Sequence, residues 1–313
     1  MNKPFEPTVN IIILNYNGRD LLAECLPSIV GASYTSKSSC KVTVIDNVSS
    51  DNSVEFVRVN FSDVDIVEAK ENLVLCSYND VLKTIKDDIV ILLNNDIKVR
   101  NNFVDPLVEL FKNKDVFMVC PKSYFFDGGY EGGKSYAFMR YGIFGTDHYF
   151  KEDCEQADEE SYTFASGYGA FDREKFLELG GYDDLYLPGR LEDADLCFRA
   201  WKRGYKCYYE PKSIVYHKGA ASFKGRFGVN GTLVINFRNV FLFTWKNISS
   251  PLFLLEHIVL LFPRLILACL RGQTEFVYGF LKAIPLFPRA FKKRNIDNRL
   301  LNDRDVFRIV NKR

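Results

Sequence analysis

Four places in the chain carry acid or imidazole side chains where chemistry can be done: Asp46, Asp96, the Glu192-Asp193-Asp195 group and His217. Each stands at the end of an apolar run or at the start of an amphipathic one, in "KVTVIDN", "VILLNND", "EDADLCFRAW" and "KSIVYH". Carboxylate oxygens suit hard divalent cations such as Mg²⁺ and Mn²⁺, whose shells are often completed by substrate phosphates. Manganese also accepts an imidazole. One aspartate with one histidine is a sparse protein cage and leaves room for a diphosphate. The sequence contains neither a GxxxxGK[ST] loop nor a GxGxxG fingerprint, so a diphosphate bound here needs a cation to neutralise it. That argues against a kinase and against a dinucleotide-dependent dehydrogenase. Plainer readings stand beside these: Asp46 and Asp96 as turn formers, "EDADL" as the acidic first turn of a helix, and His217, like His148 and His257, as a satisfied structural histidine.

The elements that must position these residues are legible in outline. "VNIIILNYNG" (9–18), "KVTVIDNVSSDNS" (41–53) and "DDIVILLNNDIKV" (87–99) are apolar, β-branched runs that stop abruptly on Asn and Asp. Such runs read as buried strands, and the carboxyl ends of strands in an open α/β sheet are where ligands bind. Helical spacing in 19–33, 53–60 and 77–85, with a further short strand at 64–70, makes βαβ units and a largely parallel sheet. The segment 123–164 is glycine-rich, aromatic and then acidic, with no clean period, and reads as a functional loop or lid. Beyond it come a strand before 173, a helix at 173–179 stopped by Gly180-Gly181, a helix at 191–205 stopped by Gly204, and a strand at 206–219 that reaches His217.

The formal net charge of +1 hides an asymmetry. Residues 1–223 hold 25 Lys/Arg against 35 Asp/Glu, and residues 224–313 hold 16 against 5. An acidic body with a basic tail implies an anionic surface as partner. Within the tail, 250–272 is apolar over the length of a membrane span, but Glu256, His257, Pro263 and Arg264 interrupt it, and mid-span charge is costly. The expectation is a helical tail lying in the membrane interface. The cluster Arg289, Lys292, Lys293 and Arg294 would face anionic lipid, and Phe276, Tyr278, Phe280 and Phe287 would insert. The alternative is a hairpin packed on the body or on a second copy. The eight cysteines form no CxxC pair. With no charged-then-apolar leader at the start, a reducing cytoplasm, no disulfides and no zinc site are expected.

In order along 9–222, the stretches "IIILNYNG", "VTVIDNVSSDNS", "ENLVLCSYND", "ILLNNDIKV", "SGYGAFDREKFLELGGYDD" and "EDADLCFRAWKRGYKCYYEPKSIVYHKGAAS" resemble the family 2 glycosyltransferases of the GT-A fold, in particular a rhamnosyltransferase-like branch. The resemblance implies a Rossmann-like mixed α/β sheet flanked by helices, over a catalytic domain 1–223. Its half 1–122 would bind the sugar nucleotide and 123–223 would serve acceptor and catalysis, with 224–313 as the membrane-associating tail. It implies Asn15, Tyr16, Asn17, Asp46, Asn72, Asn79, Asn95 and Asp96 as donor-binding residues. Asp96 and His217 would be the metal ligands and Asp193 the catalytic base, with Gly167, Glu192 and Asp195 on the acceptor side. Two departures from the family pattern stand out: Asn94 replaces the first carboxylate of D-x-D, and Leu73-Val74 and Ser77-Tyr78-Asn79 replace glycine-rich segments. The expected function is inverting, Mn²⁺- or Mg²⁺-dependent transfer of a sugar from a UDP- or dTDP-sugar to a glycan or lipid-linked acceptor in envelope polysaccharide assembly. The expected place is the cytoplasmic face of the membrane, without nucleic acid and with a homodimer open. The rivals are an inactive sugar-nucleotide-binding scaffold and a nucleotidyltransferase, which would want a basic, glycine-rich loop near "LNYNGRDLL".

Overall fold

In the computed structural model the described residues are 5–150, 161–219, 221–294 and 299–311, with the side chains of 221–224 outside the description. Cys154 and the acidic end of the expected loop therefore lie outside it. The first half builds as its periodicity requires. Strands β1 (Val9–Asn15), β2 (Cys40–Asp46), β3 (Val64–Glu68) and β4 (Ile89–Asn94) are parallel, in the order β3-β2-β1-β4. Helices α1 (Arg19–Thr35), α2 (Ser53–Asn60) and α3 (Tyr78–Thr84) make the crossovers. Aliphatic side chains fill both faces of the sheet, so the strands are apolar throughout rather than alternating. The register aligns the polar ends: Asn15 pairs with Asp46, and Leu14 with Asn94.

The second half abandons the βαβ pattern. The chain turns after β4 into β5 (Ile97–Val99), then α4 (Val104–Glu109) and β6 (Val116–Phe125). The segment 123–164, expected to be without regular structure, instead carries β7 (Tyr130–Gly132) on the edge of β6 and a hairpin of β8 (Ser135–Arg140) and β9 (Ile143–His148). Its two-residue turn is Tyr141-Gly142, both at positive φ (52° and 72°), the backbone a tight hairpin turn demands. A tyrosine stands where Asn or Asp usually signals such a turn, which hides the hairpin in the sequence. Strand β10 (Gly169–Asp172) runs antiparallel between β4 and β6, followed by α5 (Arg173–Glu178) and α6 (Glu192–Lys202). Strand β11 (Lys206–His217) lies parallel to β6 and antiparallel to β5. The main sheet reads β3-β2-β1-β4-β10-β6-β11-β5.

The tail is helical: α7 (Ala221–Asn247, kinked at Gly228), α8 (Pro251–Leu270), α9 (Thr274–Ala283), α10 (Phe287–Lys292) and α11 (Asp303–Val310). Its inner faces complete the core under the sheet. Phe243 of α7 stacks on Phe144 of the hairpin at 3.8 Å, and Phe198 of α6 lies between Phe243 and Phe307. Helices α7 and α9 approach so closely that a Cβ on Gly279 would sit 2.5 Å from the Phe237 side chain. Asp303, fully buried, pairs with Lys202 and accepts the N–H groups of Ser249 (2.7 Å) and Ser250 (2.6 Å), locking α11 and the α7–α8 turn to α6.

Candidate active site

At the ends of β1 and β2 a polar pocket is held in place by its own hydrogen bonds. Asn15, fully buried, donates to Asp46 Oδ1 (3.2 Å) and accepts from Asn95 Nδ2 (2.8 Å). Asp46 also accepts the Ser49 N–H (2.9 Å), and Asn17, at φ 47°, accepts the Ser50 N–H (2.7 Å). The loop after β1 passes so near Asn95 that a Cβ on Gly18 would lie 2.0 Å from its Nδ2, so only glycine fits there. Tyr16 stands exposed at the rim. Asn72 accepts from Asn47 Nδ2 (2.9 Å) and from the Val74 N–H (3.1 Å), holding the 72–77 turn over the end of β2. Asn79, expected near the same pocket, has its amide engaged elsewhere. It donates to Tyr182 O (2.8 Å) and accepts from Tyr182 N (2.9 Å), so both ends of its amide bracket α3 to the Gly181 turn.

Beside this pocket is an acid–imidazole corner. Because β11 runs antiparallel to β5, His217 comes level with Ile97 and next to Asp96. Its Nε2 lies 3.4 Å from Asp96 Oδ2, and its Nδ1 lies 2.6 Å from Glu131 Oε1. Glu131, from β7, is also bonded by Ser123 and by the Tyr168 hydroxyl (3.3 Å). Burial opposes charge on His217, but the hydrogen bonds to Asp96 and Glu131 outweigh it and raise its pKa to about 10. Burial likewise works against Glu131, and the bonds from His217 and Ser123 reverse it, holding that carboxyl below its ordinary range. A buried and a partly buried carboxylate around one imidazole make a place that calls for positive charge. Asp96 Oδ1 is buried with no hydrogen-bond partner, which fits a cation ligand, since buried carboxylate oxygens otherwise find donors. Among the described residues no cluster of three or more His, Cys, Asp or Glu forms a complete metal cage. Asp96 and His217 could together hold a cation, with Glu131 bonded to the other ring nitrogen of the imidazole.

The third part is the start of α6. Residues Gly189, Arg190 and Leu191 all have positive φ (142°, 78° and 69°) and lead directly into Glu192 and Asp193. Burial, and then the charge of Asp193, push Glu192 up to about 8. Burial also raises Asp193, while its own N–H, that of Ala194 and the charges of His148 and Arg190 pull it back. A Cβ on Gly167 would be 3.5 Å from Asp193 Oδ2, and the next residue, Tyr168, is the one that bonds Glu131. Two consecutive residues thus link the carboxylate of α6 to the acid–imidazole corner. Asp195, expected on the acceptor side, is wholly buried and bonded to Lys246, Arg199, Tyr186 and Asn247. Sequence reasoning misses Glu131, because a loop reading of 123–164 hides β7.

A sheet of this topology, with a polar pocket at the ends of its parallel strands and a carboxylate–imidazole corner beside it, is the GT-A architecture of sugar-nucleotide-dependent transferases. Residues 10–180 match the profile described as Glycosyl transferase family 2, and the chain belongs to that family. Among curated proteins it is 25% identical over 150 residues to a "Probable N-acetylgalactosaminyltransferase 9" of Caenorhabditis elegans, covering 42% of this chain and 24% of that protein. Among solved structures it resembles GalNAc-T7 with UDP, GalNAc and Mn²⁺ (TM-score 0.57, 17% identity, 77% of this chain and 48% of that one). It also resembles the mannosyltransferase PcManGT of Pyrobaculum calidifontis with GDP-Man and Mn²⁺ (0.53, 16%, 95% and 90%). A third is S. aureus TarS 1–349 (0.57, 14%, 91% and 81%). The chain spans about a quarter of the curated relative and half of the GalNAc-T7 chain.

Proposed function

We propose that the protein is an inverting glycosyltransferase that moves a hexosyl or deoxyhexosyl group from a UDP- or dTDP-sugar to an acceptor hydroxyl. The observation that supports this is the consecutive pair Gly167-Tyr168, the first beside Asp193 and the second bonded to Glu131 of the Asp96–His217–Glu131 corner. Asn15, Asp46 and the 72–77 turn hold the nucleotide. Asp96 Oδ1 and His217 Nε2 would hold a divalent cation, Mn²⁺ or Mg²⁺. When bound, the cation supplies charge stabilisation for the departing diphosphate. Asp193 takes the acceptor proton. Attack from the face opposite the leaving group inverts the anomeric centre. The test is a panel of sugar nucleotides scored for nucleoside diphosphate release. Asp193→Asn should keep nucleotide binding and lose turnover about 10²–10⁴-fold; turnover near that of the native protein removes Asp193 as base.

The acceptor is proposed to be lipid-linked, with the enzyme lying on the cytoplasmic face of a membrane. Among the described residues α8 is the one helix long and apolar enough to cross a bilayer, yet its three polar interruptions, Glu256, His257 and Arg264, bond the protein itself. Glu256 accepts from Gly142 N (3.1 Å), His257 bonds Gly142 O (2.6 Å) and Trp245 Nε1 (3.0 Å), and Arg264 reaches Tyr141 O (3.2 Å). The opposite stripe, Leu252, Leu255, Ile258, Phe262, Ile266 and Leu270, is exposed, as are Leu281 of α9 and Phe291 of α10. A helix pinned along one side and bare along the other supports a surface-lying rather than a spanning tail. The hairpin β8–β9 rests its turn on α8 and carries His148 at its far end.

A further inference from the structure

We propose that Asn239, on tail helix α7, is a positioning residue that holds the loop carrying the catalytic carboxylate; this rests on Asp193 being the base. Asn239 is fully buried. Its Nδ2 lies 3.0 Å from Tyr186 O, 2.8 Å from Gly189 O and 2.8 Å from Arg190 O. Its neighbour Arg238 donates to Leu187 O at 2.6 Å, and Arg238 Nε donates to Asn239 Oδ1 at 2.9 Å. That last bond sets the orientation of the amide, with its oxygen toward the guanidinium and its NH₂ toward the carbonyls. One Arg-Asn pair therefore serves four carbonyls of the segment 186–190.

The loop needs such an outside partner. Gly189, Arg190 and Leu191 have positive φ in succession, and two of them carry side chains that disfavour it. Tyr186 O also takes the Gly189 N–H (3.0 Å), while the carbonyls of Leu187, Gly189 and Arg190 are met by the side chains of Arg238 and Asn239. The next two residues are Glu192 and Asp193. Two turns further along α7, Lys246 contacts Asp195 (2.7 Å) and Asp183 (2.6 Å), so the same helix grips the chain on both sides of the catalytic carboxylate. The tail is thereby part of the catalytic machinery's support. A shift of about 1 Å in a catalytic group can cost on the order of 10²-fold in rate.

The experiment uses the full chain with Asn239→Ala and Asn239→Asp, the second being isosteric but setting a carboxylate against three carbonyls. Phe276→Leu is the comparator: it lies against Phe237 and Phe241 of the same helix, away from the loop, and should lower Tm without altering the loop. Turnover, nucleoside diphosphate affinity and amide hydrogen exchange are measured at equal distance below each Tm. The expected result is turnover reduced about 10–100-fold in the Asn239 variants, nucleotide affinity within about threefold of the native chain, and faster exchange confined to 187–193. Should Asn239→Ala not fold, Asn239→Ser, which keeps a short donor, carries the same measurements. Turnover losses no larger than in Phe276→Leu, or unchanged exchange at 187–193, overturn the proposal. Asp193→Asn in parallel separates the two readings: native-like turnover there removes the base assignment, while the exchange result still reports on Asn239 as a clamp.

Discussion

The pair Glu192-Asp193 and the corner Asp96–His217–Glu131 each gather more acid than a protein interior tolerates without compensation. Glu192 keeps its proton up to about 8 in the fold, against an ordinary value of 4.5. Between those values the folded chain binds more protons than the unfolded one, so stability falls as pH rises through that window and levels off above it. Glu192→Gln cannot ionise and should escape the loss. Its Tm advantage over the native chain should grow from pH 5 to pH 8, by an amount on the order of a few kcal/mol in stability. Equal Tm at every pH would mean that Glu192 carries no such burden. In the corner, Asp96→Ala should weaken nucleotide binding far more in Mn²⁺ than in chelator. Glu131→Gln removes only the partner of His217 Nδ1, so metal-dependent nucleotide affinity should fall by about 10–100-fold, as for other residues that orient a ligand. Titration calorimetry with and without Mn²⁺ reads both, and unchanged metal dependence in both variants would place the cation elsewhere.

For the tail helices, the structure revises the balance between charge and apolar insertion. Lys293 pairs with Asp183 and Asp184, Arg289 with Asp184, and Arg294 binds the carbonyls of Trp245 and Ile248. These cations serve the protein itself. Phe276 is buried and Phe280 packs on Phe241 and Trp245, whereas Tyr278 and Phe287 stay exposed. Each large side chain moved into hydrocarbon contributes about 1.5–3 kcal/mol, against about 1 kcal/mol per cation at an anionic leaflet. The apolar stripe of α8 therefore dominates. Vesicle co-sedimentation of the full chain should show binding that salt reduces only partly, and Phe262→Asp or Ile258→Asp, both about two-thirds exposed (68% and 65%), should abolish it without lowering Tm. Binding that survives both substitutions would locate the membrane contact on another face.

At the scale of the whole molecule the basic tail and the acidic body share one core. Phe144, Phe198, Phe243 and Phe307 come from the hairpin, α6, α7 and α11. Asp303 binds Lys202 across 101 residues, and Lys246 binds Asp195. Removing residues 224–313 would bare these aromatic faces, take Asp303 from Lys202 and take Lys246 from Asp195, which would keep only Arg199 as its cation, a change that costs roughly 3–5 kcal/mol for each broken buried pair. A chain ending at 223 should accordingly be aggregated or lack a cooperative thermal transition by circular dichroism. A soluble 1–223 fragment with native-like melting would show that the tail is only appended.

The parallel half of the sheet, with Asn15, Asp46 and Asp96 at its strand ends, was legible in the sequence because local patterns determine it. Apolar β-branched runs make buried strands, and strand ends collect the polar groups. The likeness of six ordered motifs added the roles proposed for Asp193 and His217. What needed the tertiary structure was everything made by pairing across long separations. Glu131 meets His217 over 86 residues, Asn79 meets Tyr182 over 103, and Asn239 meets Arg190 over 49. Asp195 illustrates the difference. A little further along α6 than Asp193, it has the same chemistry and the same local pattern. Its role as an enclosed ion partner is decided by a lysine 51 residues away, which helix packing, and no local signal, delivers to it.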